Sequence, residues 1–270
     1  MLGQAVRWLA LRLPEAWLRI WVGVLGDCLS DRQLSDTLRR LITARVESLP
    51  PEEALRLLFR LDASLYALQG RQAVRYGQGV HVKHRLTGYH DFFVARLSPG
   101  ERVLDVGCGH GALTRDMAER GGCRVVGIEL EADKVVVARR EHAHPRVEYR
   151  IGDATAGQGE DPERFDVVTL SNVLEHLPDR AAFLRRLVRQ VAPARLLIRV
   201  PLFDREWRVP LKQELGVEWR LDATHETEYT LEGFMAEMNE AGLLIRHLEM
   251  RWGEIWAETV PAPPVGSVES

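Results

Sequence analysis

A predicted strand followed by a glycine-rich turn, at residues 103–111, is the feature that most constrains the fold of this chain. The run reads VLDVGCGHG, with three apolar residues around Asp105 and then three glycines at alternate positions. The apolar residues predict a buried strand, and the run ALTRDMA that follows predicts a helix. Glycine lets the backbone approach a ligand closely, and the start of a helix offers free N–H groups. This order of elements is typical of a site for a nucleotide-like cofactor.

Acidic residues at the ends of the next two predicted strands help to identify that cofactor. Glu129 ends the strand RVVGIE, 22 residues after Gly107, where a carboxylate can accept hydrogen bonds from ribose hydroxyls. Asp153 follows the strand VEYRI, where an acid can accept a hydrogen bond from an adenine amino group. A fourth predicted strand, FDVVTL, leads into the segment SNVLEHLP at 171–178.

Taken in order, these motifs resemble those of the class I S-adenosylmethionine-dependent methyltransferases. The resemblance covers roughly residues 85–260 and is closest to the small-molecule branch, which includes the quinone-biosynthesis methylases. The glycine turn alone also fits a dinucleotide oxidoreductase, because Gly107-x-Gly109-x-x-Ala112 matches that fingerprint. Such an oxidoreductase has no reason to carry the motifs at Asp153 and 172–177. We therefore predict a methyltransferase with S-adenosyl-L-methionine as its cofactor.

The resemblance implies how the residues of the turn would meet the cofactor. The backbones of Gly107, Cys108 and Gly109 would line its methionine end, with the Cys108 N–H facing the ligand. The Cys108 thiol is expected to take no part in the chemistry. Asp105 would order the turn by accepting backbone N–H bonds, and it could also reach the amino-acid part of the cofactor.

By the same resemblance, residues at later strand ends would complete the cofactor site. Glu129 would hold the ribose diol, and Leu130 would pack on the adenine. Asp153 would bond the adenine amino group, and Asn172 would approach the sulfonium. The predicted cofactor-binding residues are therefore Asp105, Gly107, Cys108, Gly109, Glu129, Leu130, Asp153, Ala154 and Asn172.

Two histidines are the candidate catalytic residues. His225 lies in the run DATHETEYT, before a predicted helix start at Thr230. In similar small-molecule methylases a histidine at this place faces the acceptor pocket, where it would serve as general base or acceptor ligand. His176 follows the fourth strand at the cofactor face. The alternatives are a loop histidine that ties down the preceding insertion, for His225, and a backbone-bonded histidine at a helix start, for His176.

The sequence predicts no metal site. Some relatives carry a Glu-x-x-Glu-His metal site at this point, but Asn172 stands at its first position here, so one carboxylate is missing. Three histidines in the run HVKHRLTGYH, at 81–90, are separated by two and then five residues, which matches no standard tetrahedral site. We expect this stretch to be a lid or entry segment, with Tyr89 or His84 over the cofactor.

The alternation of predicted strands and helices after residue 85 indicates an α/β fold. We predict a Rossmann-like, doubly wound sheet of seven strands, mostly parallel, whose C-terminal hairpin places one antiparallel strand in the sheet. A helical N-terminal extension over 1–80 would precede a methyltransferase domain over 81–260, and 261–270 would be a disordered tail. An insertion over 201–222 is expected to wall the acceptor pocket. Its tryptophans would either line the pocket or only pack the insertion onto the domain; they are Trp207 and Trp219.

Composition excludes some classes of protein. The net charge of −3 argues against a general nucleic-acid binder, so no nucleic-acid partner is expected. Three cysteines without paired spacing favour a reduced, cytoplasmic setting. No apolar stretch is long enough to cross a membrane. The apolar runs at 6–13 and 17–25 would pack on the main domain or, as the alternative, make a peripheral membrane contact.

The predicted activity is methyl transfer to an oxygen or nitrogen of a small-molecule acceptor. A glycan precursor, a natural product or a lipid-like molecule would fit, and the oligomeric state stays open. One alternative is a protein or nucleic-acid methyltransferase, although no Asn/Asp-Pro-Pro-Tyr motif follows the fourth strand. The other is a non-catalytic relative that only binds the cofactor, against which the intact glycine turn and both acids argue.

Overall fold

A computed structural model of the chain describes residues 22, 23, 26, 28–154 and 163–263. The start of the helical extension predicted over 1–80 lies largely outside these residues, and with it the two apolar N-terminal runs. Most of the tail predicted over 261–270 also lies outside them, although Pro261 belongs to the last strand.

Two helices precede the sheet, α1 (Asp31–Glu47) and α2 (Pro51–Tyr76). A capping box starts α1, because the Ser30 hydroxyl accepts from the Gln33 N–H while the Gln33 side chain accepts from the Ser30 N–H. Proline at the first position of α2, followed by two glutamates, suits the positive end of the helix dipole. Both helices lie within the helical extension that the sequence predicts over 1–80.

The chain divides into two compact units, Met1–Leu65 and Tyr66–Ser270. The division falls inside α2, so helical structure continues through it. The domain boundary at residue 80 stays a prediction. Within the described ranges, no helix combines the length and the apolarity that crossing a bilayer requires.

Seven strands form one sheet in the second unit, with the order β3-β2-β1-β4-β5-β7-β6. The strand β7 pairs antiparallel with both of its neighbours, and the other adjacent pairs are parallel. This arrangement confirms the predicted α/β fold with one reversed C-terminal strand. The strands are β1 (Arg102–Val106), β2 (Arg124–Glu129), β3 (Val147–Ile151), β4 (Val167–Ser171), β5 (Arg195–Pro201), β6 (Leu243–Arg251) and β7 (Glu254–Pro261).

Helices precede and connect these strands, in agreement with the predicted alternation of strands and helices. The helix α7 shows why they form, since its five buried residues recur along one face and pack on the sheet. The helices are α3 (Lys83–Thr87), α4 (Tyr89–Val94), α5 (Ala112–Glu119), α6 (Ala132–Glu141), α7 (Arg180–Val191), α8 (Arg208–Glu214) and α9 (Leu231–Glu240).

Both faces of the sheet are buried, and successive strand residues alternate between two apolar layers. In β1, Val103 packs in the layer that contains Phe93 and Trp256, whereas Leu104 packs in the layer that contains Phe234. A parallel sheet covered on both faces requires apolar side chains in both directions. The strand sequences meet this requirement. The sheet therefore lies between the two hydrophobic layers, at the centre of the second unit.

Trp256 in β7 is the largest side chain that is fully buried in this part of the chain. We expect Trp256→Ala to lower the free energy of unfolding by about 3–5 kcal/mol, because it removes apolar contacts and leaves a cavity. Trp207→Ala is the matched control, since that side chain is 70% exposed and should change stability by less than about 0.5 kcal/mol. Urea unfolding followed by circular dichroism measures both. Equal losses of stability in Trp256→Ala and Trp207→Ala would contradict the burial of Trp256 in the core.

Candidate active site

The glycine turn after β1 closes back on β2. The N–H groups of Gly107 and Cys108 both donate to the Ile128 carbonyl, at 2.8 and 3.1 Å. The Cys108 N–H therefore does not face a ligand, contrary to our prediction, because the tight turn folds it onto the neighbouring strand. Gly107 and Gly109 have φ values of +66° and +56°, which glycine adopts at little cost. A Cβ on Gly107 would lie 2.7 Å from the Val173 side chain, so glycine is also required sterically.

Asp105 lies beneath this turn and has a role different from the predicted one. Its carboxylate accepts the Thr114 hydroxyl at 2.6 Å and the Thr169 hydroxyl at 2.7 Å, instead of backbone N–H groups. It does not line the cavity described below. Burial raises the pKa of Asp105 to about 6, even though the two hydroxyl bonds act in the opposite direction. Asp105 thus ties α5 and β4 to β1 and supports the turn from below.

A cavity of about 580 Å³ opens at the carboxyl ends of β1 to β4. Open parallel sheets bind their ligands beyond these strand ends. Seven of the nine residues predicted to bind the cofactor line it; Asp105 and Cys108 do not. The seven are Gly107, Gly109, Glu129, Leu130, Asp153, Ala154 and Asn172. The sequence did not single out several other lining residues, which include Lys134, Phe183, Asp222 and Thr224.

Glu129 connects the glycine turn to the end of β2. One carboxylate oxygen accepts the Gly109 N–H at 2.9 Å, and the other accepts the Glu131 N–H at 3.0 Å. The side chain is nearly buried yet lines the cavity. Asn172 also lines it, with a positive φ of +58° and a buried amide oxygen that has no hydrogen-bond partner among the described residues. These acceptors suit the hydroxyl and amino groups of a nucleoside.

The two predicted catalytic histidines lie against each other beside this cavity. Their ring centroids are 4.7 Å apart and the rings are nearly perpendicular. His176 ends a short 3₁₀ helix (Leu174–His176) and lines the cavity, whereas His225 is buried. Two backbone N–H groups from the 222–230 loop, those of Glu226 and Thr227, donate to the Glu175 carbonyl and hold the loop on this helix.

Each histidine has its Nδ1 atom held by a neighbour. The Nδ1 of His225 lies 3.1 Å from a carboxylate oxygen of Glu228, and the Nδ1 of His176 lies 3.0 Å from the Thr224 hydroxyl. The Nε2 atom of each ring is therefore the nitrogen left for a ligand. Burial, and then the neighbouring His225, lowers the pKa of His176 below its ordinary value.

Glu228, which supports His225, is a further residue that the sequence did not single out. Its side chain is fully buried, and it accepts from Arg205 and from the Leu221 N–H as well as facing His225. Burial on its own would raise the pKa of Glu228, but these hydrogen bonds outweigh it and hold the pKa below the usual range. A buried carboxylate on Nδ1 orients the imidazole ring. The only sequence signal was a glutamate three positions after His225.

Glu175 is the second unexpected feature. Both of its carboxylate oxygens are buried, and neither has a hydrogen-bond partner among the described residues. Burial raises the pKa of Glu175 to about 7. One carboxylate oxygen of Glu175 and one ring nitrogen from each of the two histidines all lie within 4.8 Å of one another. These three residues could hold a metal ion.

Neither predicted tryptophan of the insertion lines the cavity. Trp207 is exposed, and Trp219 packs edge-on against Phe203, with ring centroids 5.1 Å apart. In the stretch predicted as a lid, the Tyr89 hydroxyl lies 2.9 Å from the Nδ1 of His84, and the Arg199 guanidinium lies over the Tyr89 ring. These contacts join the segment to β5, and its role as a lid stays a prediction.

A family model described as "Methyltransferase domain" matches residues 79–248, which is more than half of the chain. The chain belongs to the class I S-adenosylmethionine-dependent methyltransferases. This membership confirms the predicted family, enzyme class and cofactor. The cavity at the carboxyl edge of the sheet lies at the glycine turn, where the sequence predicts the cofactor.

Two relatives carry the same name, "Ubiquinone biosynthesis O-methyltransferase". The protein from Aeromonas salmonicida is 32% identical over 157 residues, which cover 55% of this chain and 65% of the relative. The one from a Bradyrhizobium species is 31% identical over 169 residues, which cover 57% and 65%. The chain thus spans a little less than two thirds of the length of each of these relatives. Both matches are to O-methyltransferases.

A solved structure shows the same fold. The magnesium protoporphyrin IX methyltransferase of Synechocystis, determined with S-adenosylhomocysteine bound, superposes with a TM-score of 0.52 at 19% identity. The alignment covers 65% of this chain and 83% of the other. At this identity the comparison supports the fold of the methyltransferase domain.

Asp105 should make the stability of the unliganded protein depend on pH. Its folded pKa of about 6 is above the ordinary value of 3.8, so the folded state retains the proton longer than the unfolded state. The contribution of Asp105 to the free energy of unfolding should therefore decrease by about 3 kcal/mol as the pH rises from about 4 to above 6.

Asp105→Asn removes this titration, and urea unfolding at pH 4 and pH 7 measures the difference. We expect a smaller loss of stability over that interval in Asp105→Asn than in the wild type. Asp133→Asn, on the exposed face of α6, is the matched control and should behave as the wild type does. If the free energy of unfolding depended on pH in the same way in the wild type and in Asp105→Asn, the pH dependence could not come from the titration of Asp105.

Proposed function

We propose that this chain transfers a methyl group from S-adenosylmethionine to a hydroxyl oxygen of a small-molecule acceptor. The observation that carries the proposal is the position of the histidine pair: His176 lines the cofactor cavity, and His225 lies against it with Glu228 on its Nδ1 atom. An acceptor oxygen near this pair would meet the methyl donor and a proton acceptor on the same side of the sheet.

The proposal gives each lining residue a task in binding and orientation. Glu129 would accept the ribose hydroxyls and Asp153 the adenine amino group, while the open face of Gly109 admits the cofactor close to the backbone. The bound cofactor supplies a methyl group that is already electrophilic. The protein then has to exclude water and hold the acceptor oxygen in line with the carbon–sulfur bond, and this positioning can supply much of the rate.

A hydroxyl acceptor needs a group that takes its proton, and an imidazole suits this role near neutral pH. The Nε2 atom of His225 can accept the proton from the acceptor oxygen, and the Glu228 carboxylate on Nδ1 then stabilises the imidazolium. The names of both relatives, which are O-methyltransferases, also favour oxygen over nitrogen as the methylated atom. The acceptor class itself, among glycan precursors, natural products and lipid-like molecules, stays open in this proposal.

Thermal unfolding with S-adenosylmethionine, S-adenosylhomocysteine and NAD in parallel tests the cofactor site. A ligand at about 100 times its Kd stabilises by about 2.7 kcal/mol, so the first two should raise the Tm by several degrees and NAD should not. Glu129→Gln should weaken cofactor binding about 10- to 100-fold, because charge-assisted hydrogen bonds are lost. Glu119→Gln, on the exposed end of α5, is the control. A Tm shift with NAD alone would refute the proposal.

Transfer of a labelled methyl group to a panel of phenolic and aliphatic hydroxyl compounds tests the reaction. With an acceptor found in this way, His225→Ala should lower kcat about 100- to 10,000-fold while cofactor affinity stays unchanged. His144→Ala, before Pro145 and outside the cavity, is the matched control. Unchanged turnover in His225→Ala would remove this residue from the reaction. Label found only on protein or nucleic acid would refute the small-molecule proposal.

A further inference from the structure

We infer that a leucine stripe on α2 binds the same helix of a second copy of this chain, in antiparallel orientation, and so joins two chains into a dimer. The leucine stripe consists of Leu58, Leu61, Leu65 and Leu68. Their spacing of three, four and three residues places them on one face of a helix, in the pattern of a coiled-coil seam. Because α2 is one continuous helix, the stripe is continuous as well.

The leucine stripe is exposed although its side chains are apolar. Leu58 is 37% exposed, Leu65 is 55% exposed and Leu68 is 46% exposed, while Leu61 is half-buried. Every residue of α2 over 63–69 is exposed, so no other described element covers this section of the helix. Single exposed leucines are ordinary, but a row of them along one face indicates a surface that another protein covers.

The charges of α2 favour an antiparallel partner. Its first half, residues 51–62, holds three acids and two arginines, so the net charge of that half is −1. Its second half, residues 63–76, holds Arg71 and Arg75 and no acid, so the net charge of that half is +2. In an antiparallel pair the negative half of each helix lies against the positive half of the other. A parallel pair would instead place like charges together, which is unfavourable.

The leucine stripe is complementary to itself about a twofold axis. With the axis near residue 63, Leu58 of one helix lies opposite Leu68 of the other, and Leu61 lies opposite Leu65. Each leucine then meets a leucine, and the same register brings the acidic end of each helix to the basic end of its partner. A twofold dimer requires this property, because one surface serves as both halves of the interface.

The charges beside the leucine stripe favour a second protein helix over a lipid surface. Helices that lie on a membrane carry mostly Lys and Arg on their polar face. The helix α2 holds four arginines, three acids and no lysine, and Asp62 occupies a position that flanks the stripe. Mixed charges are typical of the flanks of a coiled-coil seam, where they pair across the interface.

Sedimentation of the full chain, without cofactor or acceptor, tests the inference independently of methyl transfer. The leucine stripe is roughly 15 Å long. An interface of this length is smaller than a standard one, so we expect a monomer–dimer equilibrium with a Kd in the micromolar range. Analytical ultracentrifugation from about 1 μM to about 100 μM chain measures this equilibrium. A monomer at every concentration would overturn the inference and leave the proposed methyl transfer untouched.

A charge in the middle of the leucine stripe separates this dimer from non-specific association. Leu65→Glu should weaken dimerisation at least about 10-fold, because each dimer buries two copies of this side chain. Since Leu65 is exposed in the single chain, the variant should fold, which circular dichroism checks. Leu41→Glu is the matched control, because Leu41 is 63% exposed on α1, outside the stripe. Unchanged dimerisation in Leu65→Glu, or an equal loss in Leu41→Glu, would overturn the inference.

Charge reversal tests the antiparallel orientation. Arg71→Glu with Arg75→Glu should weaken dimerisation about 3- to 10-fold at low salt, because acids then lie against acids. Adding Glu52→Arg and Glu53→Arg to the same chain should restore dimerisation, because opposite charges meet again. If the first pair of substitutions had no effect, or if the second pair failed to restore the dimer, the antiparallel arrangement would be wrong.

Vesicles of phosphatidylglycerol distinguish a second copy of the chain from a lipid surface. Co-sedimentation of the chain with these vesicles should be the same for the wild type and for Leu65→Glu. Vesicle binding that Leu65→Glu abolishes, together with a monomer in the ultracentrifuge, would mean that the leucine stripe contacts lipid, and the inference would be overturned.

Discussion

The pairing of β1 between β2 and β4 is the constraint on which the rest of the structure depends. It aligns the carboxyl ends of the parallel strands, so that the glycine turn, Glu129 and Asn172 all lie around one cavity. The turn itself is closed by two N–H groups that donate to Ile128 on β2. If this pairing slipped by one residue, the two apolar layers would exchange places and the acids would leave the cavity.

Beneath the turn, Asp105 links three elements through two threonine hydroxyls, one in α5 and one in β4. A buried carboxylate is costly, and here it is satisfied entirely by the protein. Glu175 is the opposite case, since its oxygens are buried without partners in the described residues. Two buried acids at the same edge of one sheet thus have different roles. Asp105 holds the scaffold together, whereas the Glu175 carboxylate makes no such link among the described residues.

The insertion after β5 completes the site through one chain of polar contacts. Arg205 holds Glu228, Glu228 holds His225, and the backbone of the same loop is bonded to Glu175. These contacts explain why neither Trp207 nor Trp219 needs to line the cavity. The insertion thereby helps to hold His225, and its role as a wall of the acceptor pocket stays a prediction. This side of the cavity is built from loop residues that the sheet positions, and such loops are where functional variation is commonly found.

The sequence by itself determined the strands, the helices, the glycine turn and the acids at the ends of β2 and β3. Each of these follows from local periodicity or from a residue next to a strand end, and seven of nine predicted cofactor residues line the cavity accordingly. Only the tertiary structure decided that Cys108 turns its N–H onto β2, that Glu228 supports His225, and that Glu175 meets both histidines. Some of these contacts join segments that are distant in sequence, and others depend on burial. A local sequence pattern contains no information about long-range contacts or about burial.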